Sequence, residues 1–160
     1  RSRAMRLHPI EQGDLGNRAS QDDNMAGEMP EGFETDPDFD PAEDYIGPFY
    51  YREEGDSYRY AFRADDRHCN AFQGVHGGVL MTFADYALCM EATGHYTNEN
   101  CLTVSFSCDF VSAGSIGDLI ESSAEVIRKT GSMVFVRGTV FSGDETILRY
   151  SGVVKRQRNS

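Results

Sequence analysis

Apolar and polar positions divide the chain into a weakly patterned first quarter and a body of short alternating segments around one long apolar run. From Arg1 to about Asp44 the apolar residues are scattered among Asp, Glu, Gly, Asn and Pro. They are too few to bury the surface that would offset the entropy of ordering the chain. Residues 1–44 are therefore expected to form an acidic, flexible or loosely docked arm, with Phe33, Phe39 and Tyr45 available to pin it to the body. The body is expected over residues 45–157. GPFYYRE and SYRYAFRA, rich in aromatic residues and parted by EEGD, read as two strands. After the loop DDRHCNAFQG an apolar run extends from about Gly77 to Ala92 and is closed by Gly94. It is too long for a strand and has no internal breaker, so it reads as a helix.

Four more segments follow: CLTVSFSCDFV, DLIESSAEVIR, SMVFVRGTVF and ETILRYSGVVKR. In the first, Leu102, Val104, Phe106, Cys108 and Phe110 alternate with Thr103, Ser105, Ser107 and Asp109, which predicts one apolar and one polar face. The short connectors SAGSIG, KTG and SGD predict that the last four strands form an antiparallel meander. The helix is apolar nearly all round. One flat sheet face would leave part of it wet, so the six strands must curl around it or another element must cover it.

Charge narrows the function. The formal net charge is −11, and residues 1–48 hold twelve Asp and Glu against four Arg. Nucleic-acid binding needs clustered Lys and Arg, and the basic end of Lys155, Arg156 and Arg158 is too slight to supply them. The four cysteines form no CxxC pair, and Cys89 and Cys108 sit in apolar patterns as reduced thiols would, which favours a cytoplasmic protein. No apolar run approaches the roughly 18–20 residues of a membrane span, so no membrane partner is expected. The first residues lack the apolar core of a signal peptide, and Met5 and Met25 are the candidate natural starts.

The chemistry concentrates in NAFQGVHGGVLMTFADYALCM, residues 70–90. Gly77 and Gly78 open the helix, where unpaired N–H groups carry partial positive charge and no side chain blocks a ligand. Such a place can hold an oxyanion, although a glycine pair also serves close packing. Asp85 lies in the apolar run, where burial raises a carboxyl pKa toward that of a general base. A structural carboxylate paired with Arg, Tyr or an amide is the other reading of Asp85. His76 fits best as a residue that orients the loop through hydrogen bonds. His68, Cys69 and His76 match no zinc spacing, so neither metal nor cofactor is expected.

The string Asn70, His76-Gly77-Gly78, Asp85 and then Thr103, within strand, strand, helix and four strands, resembles the hotdog-fold acyl-CoA thioesterases of the phenylacetate-pathway (PaaI-like) type. The resemblance covers about residues 46–155. It implies an α+β fold in which a curled antiparallel sheet of about six strands wraps one long helix, assembled as a dimer or dimer of dimers. It implies that the Gly77 amide polarises the thioester carbonyl, that Asp85 is the catalytic base or nucleophile, that Asn70 positions the thioester and that Thr103 assists through its hydroxyl. The implied substrate is an acyl-CoA, split to free acid and CoA.

A helix rise of about 12 Å separates Gly77 from Asp85, too far for both to meet one carbonyl. Two copies related by a two-fold axis would bring Gly77 of one to Asp85 of the other, placing the site at a subunit interface. Gly78 and His76 would border the substrate, Phe72, Phe83 and Tyr86 are candidate pocket walls, and Arg67, Arg128 and Lys129 could receive the CoA phosphates. The alternatives are a non-catalytic acyl-ligand-binding hotdog protein and a hydratase or dehydratase, for which His95 is the available acid-base group.

Overall fold

The computed structural model describes residues 28–158. Six strands and two α-helices follow in the order α1 (Pro41–Ile46), β1 (Tyr50–Glu54), β2 (Ser57–Arg63), α2 (Gly77–Thr93), β3 (Glu99–Phe110), β4 (Leu119–Lys129), β5 (Met133–Ser142) and β6 (Glu145–Arg158), with one 3-10 turn, Asp66–His68, ahead of α2. All strands join one antiparallel sheet in the order β1-β2-β4-β5-β6-β3. The sheet curls around α2, which packs against β3, β4, β5 and β6. This is the hotdog arrangement.

α2 ends where its sequence says it should. Gly94 adopts φ 62 and ψ 55, and its N–H caps the Met90 carbonyl. Leu80, Phe83, Ala84, Ala87 and Leu88 bury completely or nearly so against the sheet. Close seating needs Gly152 on β6, where a Cβ would stand 2.5 Å from Leu88 Cδ1.

Two expectations are corrected. The last four strands are not a meander: β4, β5 and β6 are, but β3 pairs with β6 at the far edge of the sheet. The SAGSIG connector is a crossover tied to the body, with Val75 N donating to Gly114 O at 2.8 Å and Gly117 N to Ala64 O at 2.8 Å. β4 consequently enters beside β2, with Leu119 opposite Arg63. The alternation expected along β3 also fails in its first half. The β3–β6 register slips between Thr103 and Ser105, leaving Val104 as a bulge. Glu99, Cys101 and Thr103 therefore turn toward α2, whereas Leu102 and Val104 are 56% and 49% exposed.

The described part of the arm is docked. Glu34 pairs with Tyr51 in a short antiparallel bridge, Arg52 stacks over the Phe33 ring at 4.4 Å, and Phe39 meets Tyr96 with ring centroids 5.3 Å apart. α1 starts at Pro41 because Asp40 accepts from Ala42 N and Glu43 N. It covers the side of α2 that carries Tyr86 and Met90, while Tyr45 projects into solvent. The rest of the expected arm, residues 1–27 with Met5 and Met25, lies outside the described residues.

Candidate active site

Asn70 shapes the loop that delivers α2. Its Oδ1 accepts from Phe72 N at 2.9 Å and Gly74 N at 3.3 Å, while its own N–H donates to Gly74 O at 2.8 Å. The carbonyl end of the amide is thus spent on the turn. Nδ2 makes no hydrogen bond among the described residues and remains a donor.

His76 is the N-cap of α2. Its Nδ1 accepts from Gly78 N at 2.9 Å, which places the ring proton on Nε2, and its carbonyl accepts from Val79 N at 2.9 Å and Leu80 N at 3.1 Å. A further bond from His76 N to His68 O at 2.8 Å fixes the loop behind it. After these bonds are made, the Gly77 N–H is the first-turn donor of α2 that has no partner among the described residues. It points from a helix N-terminus with a helix dipole behind it.

Asp85 lies further along α2 and is half-buried. Thr103 Oγ1 donates to Asp85 Oδ1 at 2.9 Å, and Cys89 Sγ lies 3.3 Å from the same hydroxyl. Burial pushes the Asp85 carboxyl above its ordinary 3.8, and the Thr103 hydrogen bond partly opposes the rise. Hydrogen bonding to Cys101, burial and the Asp85 charge push the Cys89 thiol up, so it stays protonated beside Thr103. Gly78, Met81, Thr82 and Asp85 fall on one stripe of α2, exposed at Gly78 and Met81 and only partly covered at Thr82 and Asp85.

The other expected residues are divided. Phe72 is 93% exposed at the loop tip. Phe83 is completely buried, 4.9 Å from the Phe62 ring and 5.2 Å from the Phe49 ring, so it is core and not a wall that a ligand can touch. Tyr86 is also buried, against Phe49. Lys129 Nζ binds Glu99 Oε1 at 2.5 Å and Ala92 O at 3.4 Å at the far end of α2, where Arg156 Nε binds the second Glu99 oxygen at 2.6 Å. Arg67 is held by Asp65 and by Gly47 O, whereas Arg128 is exposed. His95 is enclosed by Tyr51, Tyr58 and Tyr60, with the Tyr60 hydroxyl 3.4 Å from Nε2 and 3.0 Å from Glu91. That cluster sits at the C-terminal end of α2, away from Gly77.

Two neighbours of the site were not among the expected residues. Cys89 is one turn after Asp85, a spacing that alone places it on the same helix face. Glu43 on α1 has its carboxyl raised from 4.5 to about 7 by burial, with Asp40, Asp85 and Asp44 adding like-charge repulsion. No local pattern in the acidic arm marks it as different from its neighbours. Among the described residues no group of three or more His, Cys, Asp or Glu side chains is placed to hold a metal, and no helix is long and apolar enough to cross a membrane.

Comparison with known proteins agrees with this architecture. Residues 72–148 match the thioesterase superfamily model. A Pseudomonas aeruginosa protein provisionally named esterase PA0474 is 32% identical over 127 residues, 78% of this chain and 95% of its own. The E. coli PaaI protein from the phenylacetic acid degradation operon superposes with TM-score 0.65 at 18% identity, covering 76% of this chain and 86% of that one. The smu.793 protein of Streptococcus mutans, solved with acetyl CoA, gives TM-score 0.63 at 16% identity over 69% of this chain and 91% of its own. The chain belongs to the thioesterase superfamily and is a hotdog thioester hydrolase.

Proposed function

We propose that the protein hydrolyses acyl-CoA thioesters in a site shared between two copies of the chain. The observation that carries this reading is the free Gly77 N–H at the start of α2, with a half-buried carboxylate on the partly covered stripe of the same helix. Coenzyme A as the carrier draws support from the acetyl CoA in the Streptococcus mutans neighbour. Pairing draws support from β3, a 12-residue edge strand whose exposed Leu102 and Val104 would otherwise stay in water. Edge-to-edge pairing of two β3 strands about a two-fold axis would set the α2 helices antiparallel and Gly77 of one copy toward Asp85 of the other.

In this reading the thioester carbonyl oxygen accepts from Gly77 N–H and Asn70 Nδ2 aligns the thioester. Asp85 of the second copy, oriented by Thr103, takes a proton as water adds to the carbonyl carbon. The tetrahedral oxyanion is held by the Gly77 N–H, a donor worth roughly 3 kcal/mol of barrier. Collapse breaks the carbon–sulfur bond, and the thiolate leaves with the proton Asp85 had taken. Direct attack by Asp85 would instead give a mixed anhydride, and water labelled in its oxygen would then mark Asp85 in a single turnover. His76 holds the loop, Gly78 and Phe72 border the opening, and the exposed Arg128 is a candidate for the CoA phosphates.

The test is thiol release from a panel of aliphatic and aromatic acyl-CoAs, with wild type beside Asp85→Asn. Turnover by the wild type and a loss of at least about 100-fold in kcat for the variant are expected. Equal turnover by both proteins would remove Asp85 from the chemistry.

A further inference from the structure

An aromatic ring stands directly beside the free amide of Gly77. A Cβ on Gly77 would lie 3.2 Å from Cζ and 3.3 Å from Cε1 of Phe110, so the ring occupies the side of Gly77 where a side chain would be. Phe110 is the last residue of β3 and faces Leu148 across the β3–β6 ladder, which fixes it on a strand and not on a loop. Yet it is 52% exposed. The tip of the ring seals Gly77, and about half of the residue stays open as apolar surface next to a single polar anchor, the composition from which small-molecule sites are made.

The anchor constrains what lies on that surface. When the carbonyl oxygen sits at hydrogen-bond distance from Gly77 N, the first carbons of the acyl chain lie within a few ångströms of whatever touches the Gly77 backbone, and Phe110 does. Phe72 is too exposed to serve as a fixed wall and Phe83 is sealed in the core. We propose that Phe110 is a specificity-determining residue of the thioesterase site: its exposed ring face is the wall against which the acyl group lies, favouring extended aliphatic and aromatic acyl groups over acetyl. This rests on the reading that the acyl-CoA carbonyl binds at Gly77.

The experiment compares kcat/KM for acetyl-, hexanoyl- and benzoyl-CoA in wild type, Phe110→Leu and Phe110→Ala, with circular dichroism and gel filtration reporting fold and assembly. Loss of the ring should lower kcat/KM about tenfold for hexanoyl- and benzoyl-CoA while acetyl-CoA stays within about twofold, because acetyl lays a single methyl against the wall and the longer groups lay several carbons or a whole ring. Leucine should restore the hexanoyl value and leave the benzoyl value low. A uniform loss over the three substrates, an unchanged profile, or wild-type turnover confined to acetyl-CoA would overturn the assignment of Phe110 and leave the acyl-CoA reading intact. Wild-type protein inactive on all three would overturn that reading, and the Phe110 assignment with it.

Discussion

Thr103 Oγ1 donates to Asp85 Oδ1 at 2.9 Å across the gap between β3 and α2, and the bulge at Val104 is what turns Thr103 to that side. The contact has an electrostatic sign. Burial raises the Asp85 pKa and the hydroxyl lowers it, so the hydroxyl favours the ionised form. Removing it in Thr103→Val should shift the acidic limb of the pH–rate profile to higher pH and reduce kcat at pH 6 by about tenfold. Thr103→Ser should keep the wild-type limb. Profiles of kcat against pH check this, and an unshifted limb in the valine variant would show that the hydroxyl does not control the carboxylate.

The same burial makes Asp85 a cost to the fold. Its pKa in the folded chain lies above the unfolded 3.8, so its favourable contribution is fully present below pH 3.8 and is lost as pH rises through the folded value. Asp85→Asn removes that loss, and an asparagine Oδ1 still accepts from Thr103. The variant should melt a few degrees above wild type at pH 8 and level with it at pH 3.5, while being the less active protein. Thermal unfolding at both pH values measures this, and a variant less stable at pH 8 would show that the carboxylate is structurally paired.

Those two behaviours meet at a site whose parts were unequally legible in the sequence. The long apolar run, its Gly94 stop and the glycines at its start follow from local rules, and the helix and the Gly77 donor stand where those rules put them. The strands were legible for the same reason, since aromatic enrichment and the turn clusters that bound them are local. Their order was not, because the pairing of Leu119 with Arg63 and of β3 with β6 depends on a crossover that turn chemistry does not encode. One inserted residue, Val104, reverses the face of everything before it, and a bulge leaves no mark on the polar-apolar pattern. Phe83 misleads for a related reason: an aromatic residue in a buried helix has the same sequence signature whether it meets a ligand or Phe62.

Glu43 makes the docked arm sensitive to pH. The charged and titratable groups around it are Asp36 in the same cleft, Asp40 at the N-cap of α1, Asp44 on α1, and Asp85 and Tyr86 on α2, none of them cationic. Its carboxyl moves from 4.5 to about 7 when α1 packs, so docking is strongest below pH 4.5 and weakens as pH rises to about 7, then levels off. The amide of Gly47, which caps Glu43 O at 2.6 Å, should lose hydrogen-exchange protection over that interval. The loss should stay under about tenfold per pH unit, because solvent screens a part-exposed carboxyl. Glu43→Gln should give protection independent of pH, and an equally steep loss in that variant would exclude Glu43 as the cause.

A shared site makes a prediction that a site within one chain does not. Asp85→Asn and Gly77→Val each disable one half of it, the second because a branched side chain would fill the approach to the amide and collide with Phe110. Each homodimer alone should be inactive. Mixed and reassembled, half of the dimers carry one copy of each variant, and each of those joins an intact Gly77 on one chain to an intact Asp85 on the other while its second site holds both lesions. Recovery should therefore approach about a quarter of wild-type activity. If Gly77 and Asp85 served one substrate within a single chain, every chain in the mixture would still carry a lesion and nothing would be recovered. Thiol release from the mixture, with gel filtration to verify subunit exchange, decides between the two arrangements.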